Sequence, residues 1–146
     1  MGAEVSAAVS TEPFRIRSGS LEDRAYVLRS WFEGARATNW CLGDGRVFFA
    51  EHGRVLEAIL ERATVRVAHV PSESAAILGI AVLEFDSMPL VHWVHVRGQC
   101  RGQGIARALL SGILSRPEVH CSHWPVHGRV PPSNFRYNPY RLFPSR

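Results

Sequence analysis

Apolar and polar positions recur with two different periods along this chain, and the switches between them mark its elements. Residues 14–17 alternate apolar and charged, the pattern of a strand that buries one face. Ser20 followed by Asp23 has the form of a capping box. Leu21, Ala25, Leu28, Trp31 and Phe32 then recur at three-to-four spacing and predict a helix. Gly34 and residues 38–45 read as an irregular connection, and a second helix is expected over about 51–62, with Val55 and Ile59 inward. From Thr64 the period shortens to two. Residues 64–70, 76–85 and 90–96 predict three strands joined by turns, an antiparallel meander with Arg66 pointing outward. A glycine-rich loop follows, then a helix over 104–115 that stops before Pro117. Residues 119–124 read as a strand, 125–134 as a loop, and 135–143 as a short final strand interrupted at Pro139.

This order predicts one mixed α/β domain over 13–146. The small, polar residues 1–12 are expected to form a disordered tail, because they lack the basic start and apolar middle of a secretory signal. A length of 146 residues suits a single core. No apolar run approaches the roughly 20 residues that span a bilayer.

Composition changes this picture in two places. The formal charge is +4, and every basic residue is arginine. Guanidinium groups bind phosphates bidentately, so the surface suits a polyanionic ligand, although one cofactor is enough to use that charge. Cys41, Cys100 and Cys121 are odd in number and widely spaced, which argues against a disulfide framework and for a reducing cytoplasm.

The candidate chemistry lies in Val94-His95-Val96-Arg97-Gly98-Gln99-Cys100-Arg101-Gly102-Gln103-Gly104-Ile105-Ala106. A strand runs into glycines, and the glycines open an apolar-faced helix. Unpaired N–H groups at a helix start, beside the positive end of its dipole, suit an anion. Gly102 and Gly104 lack Cβ and let that anion approach, while Arg97, Arg101 and Arg107 add charge. The expected guest is a pyrophosphate. A nucleoside-triphosphate loop would need a lysine, and there is none. A dinucleotide fingerprint starting at Gly102 would need a small residue where Arg107 stands.

The remaining pattern, Gln/Arg-x-x-Gly-x-Gly/Ala, is met by Gln99, Gly102 and Gly104. Over residues 77–124 the chain resembles the GNAT superfamily of acyl-CoA-dependent N-acyltransferases. The resemblance implies a mixed, mostly antiparallel sheet flanked by helices and splayed between its fourth and fifth strands. It implies acetyl-CoA, or another acyl-CoA, with its phosphates on residues 99–106 and its pantetheine arm along Val94, His95 and Val96. The acceptor amine would attack the thioester directly and must first be neutral, which calls for a base. His92, four residues before Val96 and expected on its face, and Glu84 are the candidates; His95 is expected on the opposite face. The resemblance also implies a tyrosine acid for the departing thiolate, at Tyr137 or Tyr140. The usual Asn-x-x-Ala helix before it is not legible, and Pro131, Pro132 and Pro139 argue against one. His120, Cys121, His123 and His127 crowd together, but strand alternation parts the first two, so no metal is expected and His120, His123 and Trp124 are read as acceptor-pocket lining.

The acceptor stays open between a small-molecule amine, a protein amine and a nucleobase. The 92–96 run and the ending Tyr137-Asn138-Pro139-Tyr140 are similar to short phage- and prophage-encoded proteins of this type, which keeps nucleic acid among the partners. A non-catalytic CoA-binding or interaction domain is the alternative from another class.

Overall fold

The computed structural model describes residues 12–36, 44–123 and 132–144. The expectations for the tail, for Cys41, and for Trp124, His127 and Pro131 lie outside them.

Strand β1 (Arg15–Ser18) leads into a single 3-10 turn, Leu21–Asp23, and helix α1 (Arg24–Arg36). The Asp23 carboxylate explains that start. It accepts from the Ser20 N–H at 2.8 Å and from both terminal nitrogens of Arg17 at 2.7 and 2.8 Å. Helix α2 (Gly45–Arg62) begins earlier than the apolar pattern suggests. Asp44 caps it by accepting from the Arg46 N–H at 2.9 Å, so the helix takes in residues 45–50, and Gly45, read as part of the irregular connection, is helical.

Strands β2 (Thr64–Val70), β3 (Glu73–Phe85) and β4 (Pro89–Val96) form the expected antiparallel meander, with β1 on its outer edge. A 3-10 turn, Gly98–Cys100, precedes helix α3 (Ile105–Leu109). That helix is shorter than the expected 104–115, because turns replace it from Leu110 and Gly112 takes a φ of 82°. Arg66, expected outward, instead donates to the carbonyls of Leu109 at 2.9 Å and Ser111 at 2.8 Å, where α3 ends. Strands β5 (Val119–Cys121) and β6 (Phe135–Tyr137) complete the sheet, and Pro139–Leu142 is a 3-10 turn, not a strand. The strand order is β1-β2-β3-β4-β5-β6, with β4/β5 and β5/β6 parallel.

Two cores hold the three layers together. Val27, Trp31, Leu56 and Ile59 of α1 and α2 pack on Val67, Ile80, Val82 and Trp93. On the other face Ile105, Leu109 and Ile113 pack on Ala81, Leu83, Val91 and Val119. None of the described helices is long and apolar enough to cross a membrane.

Candidate active site

One extra residue in β4 organises the site. Leu83 pairs with Val91 and Val82 with Trp93, so His92 is the inserted residue of a β-bulge. Paired residues share a face. Trp93 and His95 therefore lie with Val82 and Ile80 toward α1 and α2, while Val91, Val94 and Val96 lie toward α3. His92 also points toward α1 and α2, with its ring 6.4 Å from that of Trp31. This corrects two expectations from simple alternation: His92 does not share the face of Val96, and His95 is not opposite His92.

The fourth and fifth strands barely meet. They pair only at Leu90–His120 and Val91–Cys121, and Ser122 N–H then donates to the Val91 carbonyl at 3.2 Å. Beyond that point no described strand covers this edge of β4. The Arg97 N–H donates to the Leu78 carbonyl at 2.9 Å, on the β3 side. Alternation then turns the backbone groups of Val94 and Val96 toward the open edge. Arg101 Nε reaches the Val96 carbonyl there at 3.3 Å. His95 is committed to Ile80 of β3, so its backbone does not offer the open edge that was expected of it.

The glycine turn stands at the end of this edge. Gly102 and Gly104 have φ of 82° and 80°, and a Cβ at either would meet nothing within 4 Å. Gln99, Arg101, Gly102, Gln103 and Gly104 are exposed, Cys100 is half-buried, and Ile105 tucks into the core beneath them. Ala106 and Arg107 are exposed beside it, and Arg97 lies over the Tyr26 ring at 5.4 Å. A turn with free space above two left-handed glycines, arginines at its rim and a strand edge left uncovered by the described residues beside it fits the phosphates and amide-bearing arm of an acyl-CoA.

The titratable residues form a continuous chain. Arg62 Nε lies 3.3 Å from one oxygen of Glu84, and the other oxygen accepts from His92 Nε2 at 2.6 Å. His92 Nδ1 meets Ser122 Oγ at 2.7 Å, and Ser122 Oγ meets His123 Nδ1 at 2.9 Å. His123 Nε2 meets His52 Nε2 of α2 at 3.2 Å. The His92 side chain is 0% exposed and that of Glu84 is 16% exposed. An acceptor therefore cannot touch His92, which corrects its expected role as a direct base. Burial lowers the pKa of His92, against the raising effect of the Glu84 bond. Burial, then the neighbouring His52 and His92, push His123 down to about 3, and burial lowers His52. All three rings are neutral at pH 7. The Trp31 indole N–H is buried with no hydrogen-bond partner among the described residues, and its ring stands edge-on to His123 at 5.0 Å.

The two tyrosines lie elsewhere. Tyr137 is on β6 opposite Cys121 and half-exposed, and Tyr140 is 87% exposed on the last 3-10 turn. His120 meets Asn138 at 3.2 Å and Glu118 at 3.7 Å. Ser122, His52 and Arg62 had drawn no functional reading from the sequence. Only the position of His52 on the α2 face of Val55 and Ile59 could have hinted at its inward direction.

No family model matches the chain, and no curated protein matches its sequence. Solved structures do. A candidate acetyl transferase of Pyrococcus furiosus superposes with a TM-score of 0.55 at 20% identity, covering 66% of this chain and 69% of that one. A ribosomal-protein-alanine N-acetyltransferase of Brucella melitensis biovar Abortus 2308 gives 0.46 at 22% identity, covering 68% of each chain. A GNAT family acetyltransferase of Brucella melitensis in complex with acetyl-CoA gives 0.47 at 18% identity, covering 66% of this chain and 63% of that one. The chain shares the mixed α/β fold of the Pyrococcus furiosus protein.

Proposed function

We propose that this protein is an acyl-CoA-dependent N-acyltransferase, using acetyl-CoA or a close homologue. The observation that carries the reading is the β4 bulge, which places the Glu84–His92 pair at the root of an open strand edge that leads to the glycine turn. Acetyl-CoA, when bound, supplies an acyl group activated as a thioester. Gly102, Gly104 and the neighbouring N–H groups hold its phosphates, with Arg101 and Arg107 at the rim. Val94 and Val96 offer backbone partners to its arm. The Glu84 carboxylate, held by Arg62, is the group that finally takes the acceptor's proton. No acid for the thiolate is assigned: Tyr137 is half-exposed on β6 and Tyr140 is exposed on the last 3-10 turn.

The acceptor class stays a proposal as well. Amines come first, and the resemblance to phage-encoded proteins makes nucleobase amines worth including in the screen.

Two variants test this reading. Acetyl-CoA is expected to raise the melting temperature, since a ligand that binds only the folded state stabilises it. Gly104→Leu is expected to abolish that shift at a folding cost of about 1–2 kcal/mol for its left-handed backbone. Glu84→Gln is expected to keep the shift and lose about a hundredfold in kcat. An unchanged shift in Gly104→Leu overturns the cofactor site, and full turnover in Glu84→Gln overturns the base.

A further inference from the structure

The hydrogen-bonded chain from His52 to Glu84 has a direction that the distances and chemistry fix. An ionised Glu84 can only accept, so His92 carries its proton on Nε2 and presents a bare Nδ1. Ser122 must then donate its hydroxyl proton to His92, which leaves Oγ to accept from His123 Nδ1–H. His123 Nε2 is therefore bare and accepts from His52 Nε2–H. Every link points the same way, toward Glu84. Each intermediate group gives one donor and one acceptor to the chain, as handing protons along requires, and the His123 ring also bonds to the His92 backbone.

The two ends differ from the middle. His123 and Ser122 are the first residues beyond the last β4/β5 pair, so the chain crosses the mouth of the splay. His52 lines an open hollow with Asp44, Val47, Phe48, Glu51 and Val55, and its Nδ1 has no partner among the described residues. The two carboxylates of this hollow lie 3.7 Å from arginines of the same helix, Asp44 from Arg46 and Glu51 from Arg54. At the other end the Glu84 side chain touches solvent.

We propose that His52, His123, Ser122 and His92 form a proton relay that carries the acceptor ammonium's proton from the α2 hollow to the Glu84 carboxylate. This rests on the acyltransferase reading and adds the path of the acceptor's proton. The nitrogen's N–H bond breaks and His52 Nδ1 gains that proton. His52 Nε2–H passes to His123 Nε2, and His123 Nδ1–H passes to Ser122 Oγ. The Ser122 hydroxyl proton passes to His92 Nδ1, and His92 Nε2–H passes to Glu84 Oε2. One proton has moved from the ammonium to a carboxylate, and every ring is again neutral. Glu84 then releases it to water and the bonds turn back. A concerted shift suits this chain, because burial opposes a lasting imidazolium at His123. The charged groups facing the relay are Asp44 and Glu51 at His52, with Arg62 and Arg141 at the Glu84–His92 end.

The test combines a structural readout with a kinetic one. In full-length protein carrying 15N-histidine, NMR at neutral pH is expected to show His92 as Nε2–H, His123 as Nδ1–H and His52 as Nε2–H. One ring opposed to its neighbours breaks the chain and overturns the relay, with or without activity. With acetyl-CoA and 1,5-diaminopentane as acceptor probe, Ser122→Ala is expected to lose about tenfold or more in kcat with the acetyl-CoA melting shift retained. Ser122→Thr, which restores a hydroxyl, is expected to recover most of that loss. A proton inventory in mixed H2O and D2O is expected to be bowed for the wild type and linear for Ser122→Ala. Undiminished kcat in Ser122→Ala overturns the relay. A wild-type protein that acylates no amine overturns the acyltransferase reading instead, while the tautomer pattern still decides the relay.

Discussion

Lowering the pH is expected to destabilise this protein through His123. The residue is 8% exposed, with one ring nitrogen on Ser122 and the other on His52. Its folded pKa is pushed from 6.5 down to about 3, by burial first and then by the neighbouring histidines. Because the folded value lies below the unfolded one, the unfolded chain binds more protons between them. The stability is therefore complete above 6.5 and is lost as the pH falls toward the folded value. Each unit in that window removes about 1.4 kcal/mol, and about pH 4.5 the loss is about 2.7 kcal/mol. For a chain of this length that lowers the melting temperature by about 10 °C. His92 and His52 are displaced in the same direction and steepen the fall. The assay is urea unfolding at four pH values from about 7.5 to about 4.5, on the wild type and on His123→Leu. The variant loses packing and hydrogen bonds at every pH, so its absolute stability is not the readout. Its slope against pH is expected to be flatter by about one proton. Equal slopes, or wild-type stability that stays level across the window, would refute the reasoning.

Two further outcomes concern the scaffold. Gly34 of α1 packs on Trp93 so closely that a Cβ would stand 2.8 Å from Cζ2 and nearer still to Cη2. Gly34→Ala is expected to destabilise by about 1–2 kcal/mol in urea unfolding, because overpacking at about 1–3 kcal/mol outweighs the helix gain of about 1. Gly53→Ala of α2, whose Cβ would meet only Phe32 at 3.4 Å, is expected to stabilise by about 0.5–1 kcal/mol and serves as the control. Asp23→Ala removes the acceptor shared by Arg17 and Ser20 and is expected to cost about 1.5–3 kcal/mol. The Arg17 bond holds the Asp23 carboxyl below its usual 3.8, so this contribution is present above that value and fades as the pH falls through the depressed one. A pH dependence of the Asp23→Ala effect above about 5 would contradict that assignment.

The meander and the glycine turn were legible in the sequence because each is local. Residues 64–70 announce a strand by their own alternation, and Gly102 and Gly104 announce a left-handed turn by lacking Cβ. Glu84 and His92 were also visible as titratable residues on neighbouring strands. Their meeting was not, since it depends on register, and one inserted residue at His92 reverses the face of all that follows in β4. The same insertion explains why alternation misplaced His95. The length of α3 depended on Gly112 and on Arg66, a strand residue distant in sequence that takes the last carbonyls. The relay lay furthest from sequence reasoning. His52, Glu84, His92 and the Ser122–His123 pair come from α2, β3, β4 and the end of β5, and no periodicity relates them. Short-range steric and hydrogen-bonding preferences wrote the elements and the turn into the chain. The histidine chain exists only because close packing of α2 on a bulged sheet brings those side chains within hydrogen-bonding distance.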